Sequence, residues 1–358
     1  MIELIRAVYE RKPLPEDDFF YHRVLKDIKE DGIASQVYYL LKEERKIEQT
    51  PEFFQSILHK NYEKALFQNL FIKSQQNELL QRFEQQGMDV IPLKGIHFAE
   101  KVFGHLGARA TSDIDLLIRM EDLEKAIEVV NLLGFTVEGA PIPGHFHCSF
   151  SKVLPHSTMP LVIELHWSLV KQNTSRFQIN DIWKHAKTVE GYKHIKELTP
   201  NHTFYMICLH GWRHNLDTMK YFLDLIQVLC KYNDELDLVE ILKLAKAHQT
   251  YKRMIRTLSI LYLEFPFLEE IKPFDYKRDF PLWKYRNAKG LKKYLDFFDY
   301  QLFSYDTTIH SLIELFHLIF PSKYDLEVQI YDHFIGNKTY WSLYKNRLKS
   351  IIKIFVSN

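Results

Sequence analysis

Two aspartates, Asp113 and Asp115, stand two positions apart in Arg109-Ala-Thr-Ser-Asp-Ile-Asp-Leu-Leu-Ile118. Of all the residues in this chain, their type and spacing point most directly to chemistry. On a strand over 113–118, side chains alternate between faces, so both carboxylates share one face while Ile114 and Leu116 take the other. Leu117 follows on the acidic side. Adjacent carboxylates repel, and burial worsens the repulsion. A divalent cation relieves it, because Mg²⁺ prefers carboxylate oxygens completed by water and phosphate. The spacing alone also fits a solvated pair at a strand start, with Asp113 as a turn cap.

Three neighbours bear on that choice. Lys94-Gly95 stands where a strand passes into a helix, and free N–H groups at a helix start suit a phosphate. Arg109 has the planar fork for a bidentate phosphate grip. Glu164 is a lone acid in the apolar run Leu161-Val-Ile-Glu-Leu-His-Trp167, and an acid in such a strand needs a partner. Singly they read as a turn glycine, a surface arginine and an edge-strand acid. Jointly they favour a site for metal and phosphate. Ser112 offers a hydroxyl to phosphate or caps the turn. His166 shares a face with Glu164, and Trp167 reads as core.

These segments resemble the nucleotidyltransferase superfamily, the polymerase-β-like fold. The likeness is strongest to a bacterial branch that carries Leu-Lys-Gly, Arg-x-x-Ser-Asp-Ile-Asp-Leu and Glu-Leu-His-Trp. Here these are Leu93-Lys94-Gly95, Arg109 to Leu116 and Glu164 to Trp167, and the resemblance covers about residues 90–225. It implies Mg²⁺ (or Mn²⁺) bound by Asp113, Asp115 and Glu164. It also implies transfer of a nucleoside monophosphate from an NTP, with ATP the expected donor, to a hydroxyl of a small molecule or protein. Better-known members have Gly-Ser at the first turn. Here Ile96 follows Gly95, so the phosphate grip is expected from Lys94, the backbone at Gly95 and Arg109. The alternative is an inactive relative that binds a nucleotide or partner. The branch also has a helix with paired His and an Asp, like His210, His214 and Asp224.

The elements that position these residues can be read from the pattern. Residues 1–86 are nearly free of Gly and rich in helix formers, with a helix from Thr50-Pro51 to a stop at Gly87. Strands are expected at 88–93, 113–118, from Phe135, and at 146–153 and 161–169, with an amphipathic helix over 121–133. A loop falls at Pro141 to Gly144 and a turn at Pro155 to Pro160. From 196 the pattern is helical again. The reading is therefore α+β: a small mixed-sheet domain over 87–195, flanked by helical regions 1–86 and 196–358.

The chain has 358 residues and a net charge of +1. That balance supplies no global field for long RNA or DNA, so nucleic acid is not expected as acceptor. No apolar run approaches the ~20 residues of a membrane span. Three cysteines and no signal-like start fit a cytoplasmic setting. The 26 Phe and 20 Tyr are read as core of the helical parts. His210 and His214 share a helix face, but Gly211 and the lack of a third ligand favour a structural role over zinc. His145 and His147 read as a strand entry.

Overall fold

The computed structural model describes residues 1–138, 145–154, 160–277, 298–300, 302–321, 326 and 340–356. The loop expected at Pro141 to Gly144 and most of the turn before Pro160 lie outside them.

The helices are α1 (Ile2–Tyr9), α2 (Asp18–Asp31), α3 (Ala34–Glu43), α4 (Glu52–Gln85), α5 (Gly95–Phe98), α6 (Leu123–Leu132) and α7 (Ile179–His185). They continue with α8 (Pro200–Arg213), α9 (Met219–Lys231), α10 (Leu238–Ala247), α11 (Tyr251–Glu264), α12 (Leu268–Ile271), α13 (Thr308–Ile319) and α14 (Tyr340–Val356). A wide turn, Ala99–Phe103, extends α5 to Gly104, whose φ of 82° ends it.

Five strands form the main sheet: β1 (Val90–Pro92), β2 (Asp113–Ile118), β3 (Thr136–Val137), β4 (His147–Lys152) and β5 (Leu161–His166), in the order β1-β2-β5-β4-β3. β2 and β5 are parallel and the other pairs antiparallel. A parallel pair needs a crossover, supplied here by α6 and the β3–β4 hairpin. A second ribbon pairs β6 (Lys187–Thr188) with β7 (Lys196–Glu197). The architecture is α+β, as the pattern implied, and β2 matches the segment expected for it.

Alternation along β2 divides the molecule. Ile114 and Leu116 enter a core with Ala126 and Val130 of α6 and Leu79, Leu80 and Phe83 of α4. Leu117, on the opposite face, joins a second core built by the helices. That core runs from Leu4 to Tyr305, so N-terminal and C-terminal helices share it. Its aromatic filling includes Tyr21, Phe54, Phe204 and Phe222, all fully buried. Complete burial of one such side chain stabilises by about 1.5–3 kcal/mol. α4 is 34 residues long, about 50 Å at 1.5 Å per residue. Its first half packs Phe54 and Leu58 among the helices, and its second half supports the sheet. The carboxylate face of β2 therefore lies between two packed bodies.

Candidate functional site

The site begins with strand register. Asp115 lies directly opposite Glu164 on the parallel strand β5, and Leu117 opposite His166. Period two puts both acids and His166 on one face. His166 Nε2 lies 3.2 Å from Asp115 Oδ1 and 3.1 Å from Glu164 Oε2. One ligand atom from each of Asp115, Glu164 and His166 falls within a sphere where all lie within 4.8 Å of one another. Asp113, one strand repeat away, is outside that cluster. Its carboxylate lies 3.5 Å from the Ser112 hydroxyl.

Lys94 completes the cluster. The Leu93 N–H donates to the Asp115 carbonyl at 3.0 Å, which carries the β1 edge to the middle of β2. Lys94 Nζ then reaches Asp115 Oδ1 at 2.9 Å. Gly95 has φ +63°, and a Cβ there would lie 3.1 Å from the Asp113 carbonyl and 3.2 Å from Thr111 Cγ2. Glycine is therefore required where the turn packs against the start of β2. The close approach is to the chain itself.

Electrostatics follow from this placement. Burial acts to raise the Asp115 pKa, but Lys94 and His166 outweigh it and hold the carboxyl well below its ordinary range. Glu164 is held low against burial by His166. His166 is raised against burial by the same two acids. Asp113 is raised by burial and by repulsion from Asp115. The cluster holds Asp115 and Glu164 ionised and leaves Asp113 short of positive charge. Carboxylates on one face with an undercompensated Asp113 are a donor set that a hard divalent cation fits.

Arg109 is placed differently from expectation. Its Nε and Nη2 each donate to Asp224 of α9 at 2.8 Å, and the two residues are 4% and 1% exposed. The guanidinium also stacks 5.3 Å from the Phe98 ring centroid. The phosphate grip expected of Arg109 is corrected by this geometry. Its fork is occupied by a buried carboxylate from another element, and releasing it would strand that charge. Asp224, the aspartate of the helix pattern noted in the sequence, is the partner that locks it.

Other side chains close the site. His210 of α8 and His214, which caps that helix, face it as half-buried rings 4.7 Å apart, and His214 stacks on Tyr221 at 5.2 Å. Burial, with Lys94 second, pushes His210 far below its ordinary value, so it is neutral. Neither joins a metal-capable cluster among the described residues. His147 of β4 stacks on His166 at 5.1 Å, and burial pushes it down to about 3. Trp167 is 6% exposed and its indole N–H donates to the His145 carbonyl at 3.1 Å.

Sequence reading missed two contributors. Asn69 of α4 is fully buried; its Nδ2 donates to the carbonyls of Leu106 (2.6 Å) and Arg109 (2.7 Å), and its Oδ1 accepts from the Thr111 N–H at 3.2 Å. It fixes the segment that delivers Asp113. A lone Asn inside a long polar helix carries no local sign of this. Lys220 of α9 points Nζ toward the Ala110 carbonyl at 3.4 Å, and burial, with repulsion from Arg109, lowers it to about 8. Nothing near it in sequence marks it as part of the site.

No helix among the described residues is long and apolar enough to cross a membrane. Neither the curated proteins nor the solved structures yield a match to this chain. A family model described as uncharacterised nucleotidyltransferase matches residues 18–262, a span that runs from α2 into α11 and takes in β1 to β7 and each residue of the acidic cluster. The chain therefore belongs to the uncharacterised nucleotidyltransferase family.

Proposed function

We propose that this protein is a metal-dependent nucleotidyltransferase that moves a nucleoside monophosphate from an NTP, with ATP the expected donor, to a hydroxyl of a small molecule or protein. The observation that carries the reading is the register of β2 against β5. It sets Asp115 directly opposite Glu164 on the face that also bears Asp113. Asp113, Asp115 and Glu164 would hold Mg²⁺ or Mn²⁺, which when bound neutralises the charge that develops on the phosphoryl oxygens. His166 keeps Asp115 and Glu164 ionised and orients both. Glu164, 25% exposed at its side chain, is the acid that an acceptor can reach. The acceptor oxygen forms a bond to the α-phosphorus, and the bond from that phosphorus to pyrophosphate breaks. The leaving group takes the electron pair, and the hydroxyl proton passes to Glu164. Lys94, Ser112 and the N–H groups at Gly95 lie on the phosphate side, with Lys220 contributing the charge first sought from Arg109.

The test is calorimetric titration of ATP with Mg²⁺ into the wild type and into Asp113→Ala/Asp115→Ala, together with pyrophosphate release. The expected result is Mg²⁺-dependent binding that the double variant and EDTA both abolish. Equal binding by both proteins sinks the metal assignment.

One observation favours a second reading, a nucleotide- or partner-binding relative without turnover. Lys94 and His166 already compensate Asp115 and Glu164, and no serine follows Gly95. Binding of ATP without pyrophosphate release across all four NTPs selects that reading.

A further inference from the structure

A cavity of about 270 Å³ opens beside the acidic cluster, between the ends of β4 and β5 and helices α8, α11 and α13. Phe146 forms part of the wall, with its ring 6.1 Å from that of His166. Deeper in, Arg253 of α11 is 1% exposed, and its guanidinium lies 4.6 Å from the ring centroids of both Trp212 and Tyr305. Nη2 donates to the Thr174 carbonyl, but among the described residues Nε has no hydrogen-bond partner and no carboxylate lies within ion-pair distance of Arg253. The indole N–H of Trp212, buried in the same wall, also has no acceptor among the described residues. Lys171 and the exposed Arg213, which sits 4.5 Å over the Phe146 ring, add two positive charges. Glu314 is the one acid among the described residues of the lining, 3.7 Å from Lys171.

A buried donor without a partner costs about 1–3 kcal/mol, and a buried cation without a counter-charge costs more. Two unmet donors on residues that wall one cavity with a net positive lining point to a site for an anion. The volume is at the small end of ligand pockets, which run about 300–1,000 Å³. It suits a small molecule and not a protein segment.

The geometry points to this cavity as the acceptor site, and to an acceptor that carries a carboxylate or phosphate group seated against Arg253 and Trp212. Its hydroxyl end is then directed past Phe146 toward Glu164. This rests on the nucleotidyl-transfer reading for the word acceptor, while the anion site stands on its own observations. The transfer itself is balanced as above: the hydroxyl oxygen gains the nucleotidyl group, its proton goes to Glu164 and pyrophosphate leaves.

The experiment uses the full chain labelled with ¹⁵N-tryptophan. The chain has five tryptophans, and the spectrum of Trp212→Phe assigns the Trp212 indole signal. Sodium phosphate and sodium acetate are titrated separately at constant ionic strength, with glycerol as neutral control. The expected result is a saturable shift of that signal with at least one anion and none with glycerol. Lys171→Met and Arg253→Gln should weaken it at least about tenfold, the factor carried by one charge-assisted hydrogen bond. Asp113→Ala/Asp115→Ala should leave it intact. Should Arg253→Gln fail to fold, Lys171→Met decides. No saturable shift with either anion overturns the proposal. So does a shift lost in the aspartate double variant and kept in Lys171→Met, which would place the anion at the catalytic phosphates.

In a second arm, labelled ATP and Mg²⁺ are supplied with pools of hydroxylated phosphate esters, hydroxylated carboxylates or neutral sugars. Label should pass to one of the anionic pools, which identifies the group, and Lys171→Met should raise KM about tenfold with kcat kept. Transfer to neutral sugars alone overturns the acceptor assignment. Absence of transfer to any pool, with the Trp212 shift present, removes both the acceptor role and the transferase reading and leaves an anion site.

Discussion

The pairing of Arg109 with Asp224 decides whether an arginine ahead of the acidic strand serves substrate or structure. Asp224→Ala removes one partner of a bidentate pair whose side chains are 5% and 1% exposed. Both bonds are 2.8 Å long, and the guanidinium is also covered by Phe98. Stranding a buried charge of this kind costs about 3–5 kcal/mol. Arg109→Met should cost a similar amount by stranding Asp224. The double variant Arg109→Met/Asp224→Leu should recover most of the loss, because a buried pair replaced by apolar residues of similar volume is often near neutral. Urea unfolding of the four proteins gives the cycle, with a coupling of roughly 2 kcal/mol or more expected between residues in direct contact. ATP binding in the double variant should fall by less than about tenfold, one lost charged contact at most. The reasoning is refuted if Asp224→Ala unfolds at the wild-type urea midpoint while Arg109→Met loses nucleotide binding. Arg109 would then be free to grip phosphate.

Further outcomes follow from other contacts. Asn69→Leu removes three hydrogen bonds to the chain before Asp113 and should destabilise by about 2–4 kcal/mol, read by urea unfolding, with weaker Mg²⁺-dependent ATP binding. Gly95→Ala forces a side chain into the left-handed region with its Cβ 3.1 Å from a carbonyl oxygen, so a loss of about 1–3 kcal/mol and a lower Tm are expected. The His202 ring Nδ1 lies 2.9 Å from the hydroxyl of Thr199, the N-cap of α8, and burial lowers it to about 4 from the ordinary 6.5. Between those values the unfolded chain binds the proton and the folded one does not. Stability from this group is therefore full above about pH 6.5 and lost as pH falls toward 4. Urea midpoints at pH 7.5 and 5 should differ less in His202→Asn than in the wild type, and an equal drop in both counts against the argument.

What the sequence determined by itself is local. The alternation of Asp-Ile-Asp-Leu-Leu-Ile was enough to place a strand over 113–118 with both aspartates on one face, since period two is written in consecutive residues. The long helix ending before Gly87, the turn at Gly95 and the helix after residue 121 were legible for the same reason, and so was a Glu164–His166 face. Tertiary structure decided the rest. The register that sets Asp115 against Glu164 depends on a crossover of about forty residues between Ile118 and Leu161. Arg109 found Asp224, 115 positions away, because packing brought α9 against the entry to β2 and a buried charge takes the nearest carboxylate. His166 drew Asp115 and Glu164 into a tighter group than Asp113. Asn69 and Lys220 gained their roles only from what surrounds them. Periodicity resides in the chain, whereas the partner of a buried charge is chosen by the fold.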